Sequence, residues 1–440
     1  MEFCNIGVLL RSKSHRQIIF CFRFPFVNYL RRRSHNQACQ NTGYRIYAFG
    51  LSEHGALGLH NDQSKKLKKS ILKPVRHAFA EQKTVTNVAS GYGFTAISVS
   101  SKDTTKVYGC GINTDFQIGY HLSAQQKPLE IILKPIPINI GLKNPSTEVI
   151  AISAGRAHLA VLTDKEGVFL LGSNNYGQCG REVIPDDKLH GSCMVNRIPC
   201  LGNEAICDVV CGQDHTLFLT TEGKVWACGW GADGQTGQGN TDIIYQPTQI
   251  RGEMEDEKII KIASRSDTVL ALNCKGEVFG WGSSEYGQLS DDKDTHQLNC
   301  PALLKKLSCV GKIIDIAAGG SFCAVLSESG EVFVWGYGIL GCGPALQKSD
   351  NPVMIPKTLF GCNVYQPDVK VCSISCGLSH LAAINSCCHL YIWGRNRYGC
   401  LGIGHQRDQF FPYKVAFSAL ARKVSCGLDH TMVLCYAYDK

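Results

Sequence analysis

The sequence predicts an all-β protein, a seven-bladed β-propeller closed by pairing of its N- and C-terminal strands. Three observations carry this expectation. One segment recurs seven times at intervals of about 57 residues, glycine is abundant while proline is scarce, and the two ends of the repeat region each carry half of a repeat. The chain has 440 residues, among them 45 glycines and 15 prolines. Glycine thus exceeds its usual share of ~7% and proline falls below its usual ~5%, a balance that suits many tight turns between short strands. The length suffices for one large closed domain.

Each copy runs aliphatic, aromatic, any residue, a mostly apolar residue, glycine. The anchoring glycines are Gly50, Gly111, Gly172, Gly229, Gly282, Gly336 and Gly394, spaced by 61, 61, 57, 53, 54 and 58 residues. Three residues before each stands an aromatic: Tyr47, Tyr108, Phe169, Trp226, Phe279, Phe333 and Tyr391. One residue further back is aliphatic: Ile46, Val107, Val168, Val225, Val278, Val332 and Leu390. Eight residues after the anchor comes a second glycine in five copies, Gly58, Gly119, Gly180, Gly237 and Gly402. Ser290 replaces it in the fifth copy, and the sixth is one residue short at Gly343. Glycine in the turns between them permits positive φ and a close backbone approach.

Upstream of each anchor a second element reads G-x-x-H before an apolar strand, with His158, His215, His380 and His430 at its end. In the degenerate copies the histidine position is assigned to Phe94, Asp267 or Phe322. Downstream of each anchor a proline heads a short apolar run: Pro74, Pro137, Pro199, Pro247, Pro301, Pro352 and Pro412. Proline cannot donate to a ladder, so these mark one edge strand per repeat. Each period therefore supplies three or four strands, a small sheet that must stack on its neighbours to bury both faces. The first copy begins at Ile46 without its G-x-x-H half, and the last G-x-x-H, Gly427 to His430, is followed by no anchor. Pairing these halves completes one blade and removes two open sheet edges.

Phrases such as Val334-Trp335-Gly336, Ile392-Trp393-Gly394, Tyr286-Gly287-Gln288-Leu289 and Gly427-Leu428-Asp429-His430-Thr431 resemble the regulator-of-chromosome-condensation repeat. The resemblance spans about 46–435, and with the arginine-rich start it points to the mitochondrial branch of that family. It implies a guanine-nucleotide exchange factor for a mitochondrial GTPase. The alternative it implies is an assembly scaffold in the matrix that contacts mitochondrial rRNA or ribosome assembly proteins. Peripheral association with the inner membrane and a monomeric propeller belong to the same expectation.

The net charge of +8 divides unevenly. Residues 1–43 carry Arg11, Lys13, Arg16, Arg23, Arg31, Arg32 and Arg33 against Glu2, a net +6, while the remaining 38 basic and 36 acidic residues leave +2. A segment rich in arginine and serine and poor in acids has the composition of a mitochondrial transit peptide. The expected division is therefore a leader over 1–43 and a propeller over 44–440, located in the matrix or on the matrix face of the inner membrane. An uncleaved basic arm is the other reading of the leader. Arg23 and Pro25 interrupt what would be a secretory core, and the apolar stretch from Ile18 to Leu30 is shorter than the ~20 residues a membrane span needs.

The 23 cysteines are scattered, with no C-x-x-C among them. Cys207/Cys211 and Cys372/Cys376 lack the second ligand pair of a zinc site, so free thiols packed as small apolar residues are expected, with no metal and no cofactor. No P-loop, H-E-x-x-H or G-x-S-x-G stands in a catalytic context, and binding and regulation are expected rather than covalent catalysis. The histidines recur once per blade, so ring geometry spaces them apart and a structural role follows.

Two features are candidates for partner contact. Lys65, Lys66, Lys68 and Lys69, continuing to Lys73 and Arg76, suit RNA phosphates, an acidic membrane surface or a solvated loop. Asp214 lies in a G-x-x-H loop, where the family's exchange factors use acidic residues against the GTPase. Capping its own turn is its other reading. The loop before it carries Arg156, a cation where the family pattern has an acid, which departs from the exchange mechanism the resemblance implies.

Overall fold

The computed structural model describes residues 44–60, 68–184, 194–290 and 294–436. The leader and two of the candidate lysines, Lys65 and Lys66, lie outside the described residues.

The described chain forms seven four-stranded antiparallel sheets. Blade 1 is built from both ends: Arg45–Leu51 and Ser70–Arg76 pair with His430–Cys435 and Ala421–Cys426, and Tyr47 stands opposite Val433. Blades 2 to 7 follow in chain order, beginning at Val85, Val149, Ile206, Ile259, Ile313 and Val371. The first strand of each lines a central channel, together with Ala421–Cys426 of blade 1. Each inner strand touches the next, and Ala421–Cys426 touches both Val371–Cys376 and Val85–Ser90, so the ring is closed.

Burial explains why these segments are strands and why they need each other. The second strand of every blade is buried along all six of its residues, as in Phe94–Val99 and His215–Thr220. A strand covered on both faces reads as a continuous apolar run rather than an alternating one. Seven apolar clusters sit between the blades, one at each interface. Trp281, Trp335 and Trp393 are fully buried there, and their indole N–H groups donate to Gln235 (3.0 Å), Gln288 (2.6 Å) and Leu340 (3.1 Å) of the preceding blade. The repeated tryptophans therefore tie neighbouring blades as well as filling the space between them.

The anchoring glycine has a steric cause. At Gly229 φ is +116°, and a Cβ would stand 2.5 Å from the Asp214 carbonyl oxygen of the neighbouring strand. In all seven blades the residue after the anchor donates its N–H across to the loop before the second strand, as Trp230 does to Asp214 at 2.9 Å.

Six of the seven prolines lie on outer strands, as expected, but their place within those strands differs. They do not head the outer strands. Pro74, Pro247, Pro301, Pro352 and Pro412 lie inside a bulge, immediately before the residue that resumes pairing. A bulged residue owes the ladder no N–H, and this is where proline is tolerated. By that register the proline of blade 2 is Pro135, because Pro137 pairs with Tyr108 beyond the bulge. Pro199 follows the short outer strand Asn196–Ile198 of blade 3.

The histidines staple the ring. His158 shares a hydrogen bond with Thr216 of the next blade (3.0 Å), His380 with Thr431 (3.0 Å), His430 with Thr95 (3.0 Å) and His215 with Ser264 (3.3 Å). Burial brings His158 down to about 4 and His215, His380 and His430 down to about 3, so all four are neutral at physiological pH.

Cys110, Cys179, Cys211, Cys228, Cys323, Cys400, Cys426 and Cys435 are buried, and burial pushes thiols such as Cys110 up to about 12. Cys200, Cys274, Cys300 and Cys309 are exposed, so the buried-thiol expectation holds for only part of the set.

Candidate functional site

Each blade contributes two loops to one end of the ring: the G-x-x-H loop before its second strand and the turn after its anchoring glycine. The G-x-x-H loops also link around the channel. Tyr92 N–H donates to Gly155 O (3.2 Å), Arg156 N–H to Gln213 O (3.0 Å) and Gly320 N–H to Leu378 O (3.0 Å). This is a loop surface braced from beneath, the place where a propeller carries function.

Glycine and histidine in the motif are coupled sterically. A Cβ at Gly212 would lie 2.0 Å from the His215 ring, and Gly91 and Gly319 have the same relation to Phe94 and Phe322. Blade 5 breaks both halves of this rule. Its second strand starts at Thr268, which pairs with Gly282 as His215 pairs with Gly229. The residue at the histidine position is therefore Thr268 and not Asp267. Asp267 occupies the position of Asp214. With no ring lying over it, the glycine position is free to carry a side chain, and it carries Arg265.

Arg265 reaches across the channel. Its guanidinium donates to Ala154 O of blade 3 (3.0 Å), to Ser90 O of blade 2 (2.7 Å) and to Cys426 O of blade 1, while its own carbonyl accepts from the Tyr92 hydroxyl (3.0 Å). The guanidinium thereby spans the channel at its loop end. The signal was in the sequence, since Arg265 interrupts a glycine present in all six other copies.

Asp214 and Arg156, the acid and the apparent departure, are partners. Arg156 grips the carboxylate through Nε (3.0 Å) and Nη2 (2.8 Å), joining blades 3 and 4. Asp214 is 6% exposed, and burial raises its carboxyl group against the opposing pull of Arg156. Its oxygens face that guanidinium and not the amides of its own turn, so the capping role is replaced by an ion pair between blades. Asp267 is held by neutral donors, Gln235 Nε2 (3.0 Å) and Ser266 Oγ (3.1 Å), and burial brings it up to about 6.

The loop face divides into two sectors. Across blades 2 to 5 its acids include Asp115, Asp214, Asp233, Asp267 and Glu285 and its cations include Arg156 and Arg265, together with a Tyr176–Trp230 contact at 4.7 Å. A stacked Tyr286–Tyr337 pair at 5.2 Å borders this sector. Around blades 7 and 1 it holds Lys68, Lys69, Arg395, Arg397, Arg407 and Tyr398 against Glu53, Asp408 and Asp429. There Lys69 Nζ lies 5.6 Å from the Tyr398 ring centre and the Arg397 guanidinium 5.0 Å. Asp214 and the described lysines thus share a face but sit on opposite sides of the ring. The lysine cluster is also less compact than its spacing suggested. It continues along the outer strand Ser70–Arg76, about 20 Å long at ~3.3 Å per residue, to Arg76, which is paired with Glu81.

Among the described residues no three His, Cys, Asp or Glu side chains are grouped to hold a metal ion, and no helix is long and apolar enough to cross a membrane.

The described chain is a closed seven-bladed ring with a braced, chemically divided loop face. The chain belongs to the regulator of chromosome condensation (RCC1) family: residues 197–438 match the RCC1-like domain, and residues 45–98 and 165–219 match the RCC1 repeat. It is 43% identical to the RCC1-like G exchanging factor-like protein of Mus musculus over 406 residues, 90% of this chain and 88% of the mouse protein. The protein of the same name from Homo sapiens is 41% identical over 441 residues, 97% of this chain and 93% of the human one. The crystal structure of human WBSCR16 superposes with a TM-score of 0.84 at 42% identity, covering 89% of this chain and all of that one. Prp20p from Saccharomyces cerevisiae shares the fold, with a TM-score of 0.73 at 20% identity over 91% of this chain and 93% of its own.

Proposed function

We propose that this propeller is a guanine-nucleotide exchange factor for a mitochondrial GTPase, docking it on the loop face and loosening its nucleotide. The supporting observation is the likeness, over at least 88% of their length, to two mammalian proteins named as G exchanging factor-like. Exchange needs no nucleophile or metal. A surface that binds the nucleotide-free GTPase more tightly than the loaded one shifts the population toward release, in proportion to that difference in affinity. The acidic sector, with its half-buried Tyr176 and Trp230, is the part of the face suited to a basic partner surface. Asp214 acts there by holding Arg156 and the blade 3–blade 4 loops in place rather than as a free acid.

Targeting to the matrix by residues 1–43 completes the reading. Fusing that segment to a reporter tests it, and a diffuse cytosolic signal would refute the location. The exchange reading is tested by release of labelled GDP from purified mitochondrial GTPases. A candidate whose release accelerates with this protein supports it, and no acceleration across the set overturns it.

A second reading, contact with mitochondrial rRNA, is favoured by the grouping of Lys69, Arg397 and Tyr398. Cations beside an aromatic face are the elements that hold unpaired bases and their phosphates. If it holds, replacing Lys68 and Lys69 with Met weakens RNA binding and flattens its salt dependence by roughly 0.7–0.9 for each phosphate no longer neutralised. An unchanged slope excludes these lysines from the interface.

A further inference from the structure

Arg265 spans the channel and leaves a pit beneath it. The inner strands run from the far face toward the loop face, and the guanidinium bridges them at Ser90, Ala154 and Cys426. Beneath it lie a cavity of about 480 Å³ toward the far face and a deeper one of about 260 Å³, which share Lys261, Ser375 and Lys423 in their walls.

The charges inside are unequal. Four cations line the two cavities, Lys261, Arg265, Arg422 and Lys423, against two carboxylates, Asp208 and Asp315. Asp315 is fully engaged: it pairs with Lys261 and accepts the amides of Ile316 (2.9 Å) and Ile374 (3.0 Å). Asp208, three blades away from Lys423, accepts the Val209 amide (2.9 Å), and burial raises its carboxyl group. Lys423 stands on the inner strand with its side chain exposed to the pit. Its ammonium has three donors and places one on Asn87 Oδ1 at 2.7 Å. Burial brings it down to about 8, with Arg422, Lys261 and Arg265 pushing the same way and Asp208 opposing. Arg422, lining the larger cavity, packs its guanidinium over Tyr44 at 4.3 Å.

We propose that this pit binds a small anionic solute bearing carboxylate or phosphate groups, anchored by Lys423 with Lys261, Asn87 and Ser373 around it. An anion there offsets the excess positive charge and takes the open donors of Lys423, forming the charge-assisted hydrogen bonds that are strongest away from bulk water. The site is on the face opposite the loops, so it is independent of the exchange reading. Lys423 lies on the inner strand that closes the ring and Lys261 on blade 5, so an occupant bridging them also braces the closure.

Thermal melting and titration calorimetry of the full chain with succinate, and separately with inorganic phosphate, test the proposal against sodium chloride at matched ionic strength. The expected result is a saturable rise in melting temperature and a measurable binding isotherm for at least one of the two probes. Lys423→Met should raise the half-saturating concentration roughly tenfold or more, the loss of one charge-assisted hydrogen bond. Lys423→Arg should largely preserve binding, and Lys127→Met, on an exposed loop, should leave it unchanged. Should Lys423→Met not fold, the wild type decides: the succinate response should weaken between pH 7 and pH 9 as Lys423 loses its proton. A wild-type response to both probes no greater than to chloride overturns the proposal. So does a folded Lys423→Met that binds as the wild type does, or a succinate response that does not weaken with pH.

Discussion

Blades 4 and 5 place an acid at the same loop position and embed it in opposite ways. In blade 4 Asp214 is clamped by Arg156, and the motif around it keeps its glycine and its histidine, Gly212 and His215. In blade 5 Asp267 has neutral partners, the histidine has become Thr268, and the glycine has become Arg265, which leaves its own blade and crosses the channel. The repeat is thus a packing rule, in which an aromatic ring requires a glycine beneath it. Where the ring is given up, the freed position takes a side chain with work elsewhere.

The largest effect expected from disturbing this frame comes from the closure that both blades depend on. Deleting residues 424–440 removes His430–Cys435 and half of Ala421–Cys426 from blade 1 and opens two sheet edges. The truncated chain should lose the cooperative unfolding transition of the full ring, and an unchanged melting temperature would show that the ends do not close it. The next effect separates blades 4 and 5. Gly212→Ala forces a Cβ into the His215 ring and should cost about 3 kcal/mol in urea unfolding, the upper end for overpacking. Arg265→Gly removes hydrogen bonds but creates no clash, and should cost about 1–2 kcal/mol. A reversed order would break the steric account.

Acid should loosen the staples together. His158, His215, His380 and His430 are held neutral, from about 4 down to about 3, against 6.5 for a free histidine. The unfolded chain therefore binds more protons below pH 6.5. Their contribution is present above that pH and is lost as pH falls toward 3–4, by up to about 1.4 kcal/mol per histidine for each pH unit. Asp267, raised to about 6, works the other way and offsets one of them. Stability measured by urea unfolding at pH 7.5 and pH 5.5 should fall, and a flat profile would contradict the neutral staples. The smallest effect is expected at the ion pair. Arg156→Ala strands a buried Asp214 and should cost more than Asp214→Asn, which leaves a half-exposed arginine free to meet water. About 1–2 kcal/mol separates them at most, because one partner is already solvated.

The ring was legible in the sequence because its rule is repeated. Anchors, aromatics and split termini each recur or complement one another, and the strand order follows from them. What escaped was register and contact across blades. A one-residue slip put Asp267 in the histidine column, since the fifth copy offers neither the glycine nor the ring that fixes alignment. The prolines were assigned to strand starts because a bulge leaves no mark of its own. Asp214 and Arg156 stand 58 positions apart, and only the stacking of consecutive blades brings them together. Arg265 was visible as an exception, but its span to three other blades depends on ring closure.

The acidic sector around blades 4 and 5 and the basic sector around blades 7 and 1 lie on one face, and the exchange reading assigns the GTPase to the first. Nucleotide release from a GTPase that responds to this protein should be measured with two charge-reversed variants, Asp233→Lys with Glu285→Lys, and Lys68→Glu with Lys69→Glu. Both pairs alter loop-face side chains outside the blade cores, so folding should be retained and checked by melting. The account predicts that the acidic-sector variant loses most of its stimulation while the basic-sector variant keeps it. Full stimulation by the acidic-sector variant would contradict the assignment.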